Sequence, residues 1–195
     1  MVTAQEFGRS LRGTAALVNR RSDALRAFDI SADGFARSFS AVALTLPAYV
    51  VSLGLERRRL GLDVGGSALF DQAGPAILVG VAHLASFLAL PIAMVFVTRH
   101  ANLGGRYVSF VVVSNWLWAF ASLGLAIPGA LYLCGLETQA LAALFTLGFA
   151  AVALHAQVFA ARVTLGVSAS MAVTVAALGL LLDLAVDLGL RATLG

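Results

Sequence analysis

Two aspartates stand four residues apart in an apolar stretch near the end of the chain, LLLDLAVDLGLR at 180–191. Ionisable side chains are costly inside a bilayer, so a carboxylate in such a stretch is a candidate for proton or ion binding. Asp183 is the deeper of the two. At 1.5 Å per helical residue, it and His83 are both expected roughly 10–12 Å below the outer surface. One interpretation is therefore a proton-accepting pair of His83 and Asp183 in a polar cavity.

A purely structural interpretation of the two aspartates is preferred. Asp187 can pair with Arg191 one helical turn away, close to the interface, where an arginine side chain reaches water. Asp183 then makes a single interhelical hydrogen bond, to His83 or to a hydroxyl, which contributes about 1 kcal/mol in a membrane.

A second polar layer is expected nearer the opposite surface, formed by Asn115, His155 and Gln157. Trp116 and Trp118 lie mid-span and are interpreted as packing residues, with a pocket beside Asn115 as the alternative. The chain carries no HExxH, GxSxG, CxxC or phosphate-loop motif, so we expect no enzymatic activity, no cofactor and no metal site.

Small residues favour a protein-facing orientation for Asp183. Steps of three and four back from this aspartate meet only alanine and glycine, at Gly179, Ala176, Ala172 and Ala169. Such a stripe lets two helices approach closely. A similar stripe is predicted in the preceding segment, at Gly148, Ala151 and His155.

The composition indicates a polytopic membrane protein. Of the 195 residues, 60% are hydrophobic and 12% charged, with a mean hydropathy of +0.92; soluble domains are about 45–50% apolar and about 25% charged. Five apolar segments approach or exceed the roughly 18–25 residues that cross a bilayer. The predicted fold class is an all-α integral membrane helical bundle of about five spans, at 38–55, 75–97, 107–127, 138–161 and 167–190, within a membrane domain at 38–195.

An N-terminal region at 1–37 precedes the spans. Residues 4–28 are predicted to form an amphipathic helix, with Phe7, Leu11, Thr14, Val18, Leu25 and Phe28 on its apolar side. A basic helix of this kind lies in the membrane interface and attracts anionic lipid head groups. The alternative is a solvated helix packed on the membrane domain. The arginines assigned to the lipid surface are Arg9, Arg12, Arg20, Arg21 and Arg26.

Arginine counting predicts the orientation. All 13 basic residues are arginine, which is typical of a high-GC bacterial genome and favours a bacterial inner membrane. With a cytoplasmic N-terminus and five spans, nine arginines lie inside and four outside. If segment 38–55 were re-entrant, with Pro47 at its turn, the count would be ten against three. Five spans are preferred, because 18 uncharged residues are enough to cross.

The layout, with GFARSFSAVALTLPAY at 34–49 and RYVSFVVVSNW at 106–116, resembles bacterial Yip1-like membrane proteins. That resemblance implies membrane organisation and partner binding and no chemistry. The expected function is that of a non-enzymatic membrane-organising or accessory protein that binds lipid and a protein partner or a second copy, and no nucleic acid. The alternative is a small channel or proton-coupled transporter that uses His83 and Asp183.

Overall fold

The computed structural model describes residues 3–21, 23–62 and 73–194, and within these ranges it contains helices and no strands. The α-helices are α1 Ala4–Val18, α2 Ala32–Ser38, α3 Leu46–Arg59, α4 Ala73–His100, α5 Tyr107–Leu133, α6 Gln139–Leu165 and α7 Ala169–Leu194. Shorter 3₁₀ segments lie at Ala24–Ala27, Phe39–Thr45 and Gly104–Arg106.

Five helical segments are long and apolar enough to cross a membrane: Ala32–Arg59, Ala73–His100, Gly104–Leu133, Gln139–Leu165 and Ala169–Leu194. In such segments the helix satisfies every backbone polar group internally, which hydrocarbon demands. The predicted fold class, a bundle of five membrane helices, is confirmed.

Helix ends follow local chemistry. The side chains of Thr3, Ser31 and Thr138 accept hydrogen bonds from backbone N–H groups in the first turns of α1, α2 and α6, as capping residues do. Helix α6 ends at Gly166, whose φ of 62° suits glycine. The Arg106 guanidinium donates to the carbonyl of Leu165 at this same end, so the start of α5 is tied to the end of α6.

Helices α3 to α7 form a closed ring. Helix α3 contacts α4, α4 contacts α7, α7 contacts α6, α6 contacts α5, and α5 contacts α3. We call the end at which α5 begins and α6 ends the proximal end. The opposite end, where α3 and α7 end, is the distal end.

The first span crosses the whole ring. Phe35 in α2 contacts Tyr107 at the proximal end, with ring centroids 6.1 Å apart. Arg58, at the end of α3, lies over the ring of Tyr132 at the distal end, 4.3 Å from its centroid. The segment therefore runs beside α5 over almost its full length and does not turn back at Pro47, as a re-entrant segment would.

The middle of this span is a 3₁₀ helix, Phe39–Thr45, followed by Pro47 in the first turn of α3. Proline has no N–H to donate. The hydroxyls of Ser38, Ser40 and Thr45 each bond the carbonyl three residues earlier, at 2.6–2.7 Å. These side chains supply hydrogen bonds where the backbone pattern changes, and such mid-helix changes are common at hinges.

Helix α1 packs on α5 and α6, and the predicted apolar side is largely directed at the core, with Thr14 buried and Phe7, Val18, Leu25 and Phe28 in or against the core cluster. The buried residues are Glu6, Ser10, Gly13, Thr14 and Leu17, whereas Leu11 is 46% exposed. Gly13 lets the segment that follows α1 fold back closely against this helix, because a Cβ on Gly13 would lie 2.6 Å from the ring of Phe28.

The buried Glu6 is compensated by an arginine of α2. Arg37 donates to Glu6 at 3.2 Å and to Asp29 at 2.6 Å. Hydrogen bonds from Ser31, together with the charge of Arg37, hold the pKa of Asp29 below its usual value. The sequence pattern could not show this pairing, because its partners are up to 31 positions apart.

Candidate functional site

The five-helix ring surrounds an open cavity of about 530 Å³ that is lined by residues from α3, α4, α5, α6 and α7. On α7 the lining runs over 176–191, which corresponds to about 22 Å of helix. Polar and aromatic residues on its wall include His83, Ser86, Phe87, Ser114, Asn115, Trp118, Gln157 and Asp183.

Charged residues at the distal end of the cavity are paired. Asp187 accepts a hydrogen bond from Arg191 at 2.9 Å, so the one-turn pair expected from the sequence is present. Glu56 accepts from Arg59 at 2.7 Å. The carboxylates at this end therefore have their charges compensated on their own helices.

Asp183 lies deeper and has a different environment. It interacts with the side chain of Ser86 on α4, and no ion pair involves it among the residues that the structure describes. Its carboxylate lines the cavity. A charge without a counter-ion in a low-dielectric site is costly, so this position favours binding of a proton or a cation.

His83 lines the same cavity but bonds another residue. Its Nε2 lies 2.7 Å from the hydroxyl of Thr45. The predicted direct pair of His83 and Asp183 is therefore not the arrangement found. The reason is tertiary, since the 3₁₀ segment brings Thr45 against α4 while α7 places Asp183 beside Ser86, one turn further along.

An aromatic cluster adjoins these residues. Trp118 contacts His83 and Phe87, with ring centroids 5.0 and 5.2 Å apart. Both Phe87 and Trp118 line the cavity. Trp118 fits the pocket alternative considered above for the two tryptophans. Phe87 was not among the candidates, because one phenylalanine in an apolar helix carries no distinguishing signal.

Amides lie where the cavity narrows toward the proximal end. Asn115, which is 1% exposed, donates to the hydroxyl of Ser38 at 2.9 Å. Gln157 donates to the hydroxyl of Ser114 at 3.2 Å. His155 does not join this layer. It lies on the outer side of α6, where its Nε2 accepts from Arg20 at 3.0 Å.

An apolar cluster closes the cavity at the proximal end. On α4 and α5 it begins one turn beyond the last lining residues, with Met94 after Pro91 and Val111 before Ser114. The cluster is at most 2% exposed and consists of Met94, Phe110, Val111, Ala161, Leu165, Ala172 and Val175. We call it the proximal plug, because close-packed apolar side chains leave no path for a hydrated ion.

The small-residue stripe of α7 faces protein over most of its length. Ala172 and Ala176 are buried, and a Cβ on Gly179 would lie 3.3 Å from Leu90 of α4. Ala169 is exposed at the start of the helix.

The second predicted stripe, on α6, is wrong as a packing face. A Cβ added to Gly148 would meet nothing within 4 Å, and Ala151 and His155 are exposed. This side of α6 therefore does not approach another helix of the bundle closely.

The arginines assigned to the lipid surface are all exposed: Arg9, Arg12, Arg20, Arg21 and Arg26. Two of them have side-chain partners. Arg20 donates to His155, and Arg21 pairs with Asp23 at 2.8 Å. This exposed surface lies on α1 and the segment that follows it, outside the five-helix ring.

The site offers groups for binding and for proton exchange. Its wall combines one uncompensated carboxylate, an imidazole, hydroxyls, amides and aromatic rings. Within 3–21, 23–62 and 73–194, no group of three or more His, Cys, Asp or Glu residues is placed to hold a metal ion.

No protein-family model, curated protein or solved structure matches this chain.

Proposed function

We propose that the protein is a membrane carrier for a small solute, with Asp183 as the group that binds a proton or cation and His83 beside it. The observation that carries the proposal is the cavity inside the five-helix ring, which contains an uncompensated carboxylate midway along α7. Intramembrane ionisable groups that face a cavity mark ion and proton pathways in transport proteins.

A carrier fits this geometry better than an open channel. The cavity reaches the distal end, whereas the proximal plug closes the other end. Transport then requires a second state in which the plug opens. The 3₁₀ segment Phe39–Thr45 and Pro91 inside α4 are points where these spans can bend.

The proposed setting is a bacterial inner membrane with a cytoplasmic N-terminus. Nine arginines then lie on the cytoplasmic side, in agreement with the positive-inside rule. In this orientation the distal end faces outward, and the structure corresponds to an outward-facing state of the carrier.

Proton movement gives the first test. The purified protein is placed in liposomes that contain a pH-sensitive dye, and an imposed pH gradient is followed over time. We expect the pH gradient to dissipate faster than in protein-free liposomes. Asp183→Asn should reduce the rate to that of the protein-free liposomes, because a carboxamide neither gains nor loses a proton near neutral pH.

Asp33→Asn is the matched control, because it makes the same change at an exposed position of α2 outside the cavity. It should leave the rate unchanged. Full proton movement in Asp183→Asn would contradict the proposal, and so would the absence of both proton and solute movement in the unaltered protein.

The accessory role expected from the sequence stays a second candidate. The exposed arginines of α1 and its following segment support contact with anionic lipid head groups. A protein partner or a second copy stays a prediction, as does the Yip1-like resemblance.

A further inference from the structure

We infer that the cavity takes a small organic ammonium ion, held with its charged nitrogen between Asp183 and the aromatic surface of Trp118. The inference rests on the proposed carrier function and names its solute class. Three independent features of the cavity support it: its charge, its aromatic wall and, among the described residues, the lack of a carboxylate cluster that could hold a metal ion.

The charge of the wall favours a cation. Three carboxylates and one guanidinium line the cavity, at Glu56, Asp183, Asp187 and Arg191. Glu56 and Asp187 have arginine partners at the distal end. The negative charge that lacks an ion-pair partner deeper in the cavity is therefore that of Asp183. The ionised carboxylate would repel an anion there and attract a cation.

The aromatic wall favours an organic cation. Trp118, Phe87 and His83 form one cluster. His83, Ser86 and Phe87 occupy little more than one turn of α4, about 5.4 Å of axis, and Ser86 is the neighbour of Asp183. The carboxylate and the rings therefore lie at the same level. Ring faces attract alkylammonium ions, and proteins bind such ligands in aromatic cages.

A hard metal ion fits the same level poorly. Calcium takes six to eight oxygen ligands and magnesium demands a near-octahedral set. Asp183 and Ser86 contribute oxygens at this level, and the other hydroxyls and amides of the wall are spread along the cavity. Among the residues that the structure describes, no group of three or more His, Cys, Asp or Glu residues gathers around an ion, and apolar side chains such as Ala82, Leu90 and Ala121 also line the wall. Alkyl groups can contact these side chains. The volume of about 530 Å³ leaves room for such groups.

Trp118 provides a built-in reporter. The chain has two tryptophans, and Trp116 points away from the cavity, into the cluster with Leu17 and Phe28. In a Trp116→Phe background, fluorescence reports Trp118 alone. The probes are choline, tetramethylammonium and n-butylammonium, and 3,3-dimethylbutan-1-ol is the matched neutral control because it replaces the nitrogen of choline with carbon.

We expect a saturable fluorescence change with at least one ammonium probe, and binding of the neutral alcohol weaker than that of choline by roughly tenfold or more, which corresponds to about 1.4 kcal/mol. Asp183→Asn should remove the preference for charge, and Asp33→Asn should preserve it. A second measurement uses the unaltered protein, in which the ammonium probe should raise Tm and the alcohol should not.

The outcomes separate the two proposals. Equal binding of choline and the alcohol, no binding of any ammonium probe, or an unchanged preference in Asp183→Asn would each overturn the ammonium site. Ammonium binding without any solute or proton movement in liposomes would support the site and overturn the carrier. Proton movement without ammonium binding would support the carrier and overturn the inference about its solute.

Discussion

Asp183 and Asp187 show how neighbours decide what a carboxylate can do. Both lie on the cavity side of α7, one turn apart. Asp187 is bonded to Arg191, which compensates its charge. Asp183 has the hydroxyl of Ser86 as its neighbour, which leaves its negative charge free to attract a proton or a cation. The same side chain is therefore structural at one position and a candidate binding group at the other.

At the residue scale, the buried Glu6 gives a stability prediction. Glu6→Gln removes the charge that meets Arg37, and loss of a hydrogen bond between charged groups costs about 1.5–3 kcal/mol. We expect a lower denaturation midpoint in detergent and faster tryptic cleavage after Arg9 and Arg12, because α1 would detach more often.

The matched control is Asp23→Asn, which disrupts the exposed pair with Arg21. Exposed pairs contribute little, so the midpoint and the cleavage rate should not change. Equal effects of Glu6→Gln and Asp23→Asn would show that α1 is not held by the buried pair.

At the element scale, glycines determine how closely the spans approach. In α5, a Cβ on Gly129 would lie 2.9 Å from Leu55 and 3.0 Å from Val51 of α3. In α6, Gly148 has nothing within 4 Å of that position. The two glycines look alike in sequence, since each stands inside an apolar helix. Only the packing of α3 against α5 distinguishes them.

Alanine substitutions test this difference. Replacing glycine with alanine inside a helix adds about 0.5–1 kcal/mol of stability through the backbone alone, whereas overpacking costs about 1–3 kcal/mol. We expect Gly148→Ala to be neutral or stabilising and Gly129→Ala to lower the denaturation midpoint in detergent. A midpoint for Gly129→Ala at or above that of Gly148→Ala would contradict the close contact of α3 and α5.

At the scale of the whole molecule, the ring of α3 to α7 creates both the cavity and its asymmetry. The ring also joins helices that are distant in the chain, since α4 contacts α7. This connection brings Asp183 to Ser86. It also places Ala172 and Val175 of α7 beside Met94 of α4 in the proximal plug.

Cysteine labelling tests the orientation of the ring. Cys134 is the single cysteine and is exposed at the distal end. In right-side-out bacterial spheroplasts, we expect a membrane-impermeant maleimide to label it. In a Cys134→Ser background, Ala101→Cys at the proximal end should be labelled only after permeabilisation. The reverse pattern would show that the N-terminus lies outside and that the cavity reaches the cytoplasm.

The five spans follow from the amino-acid sequence alone, because crossing a bilayer depends on the local apolarity of about 20 residues. So does the pair of Asp187 and Arg191, because residues four apart on a helix always face each other. Tertiary structure decided the partners of His83 and Asp183 and the position of His155 outside the cavity. These depend on how each helix is rotated and which helix lies beside it. Nearly every residue in a span is apolar, so hydropathy alone cannot distinguish the face that meets lipid from the face that lines a cavity.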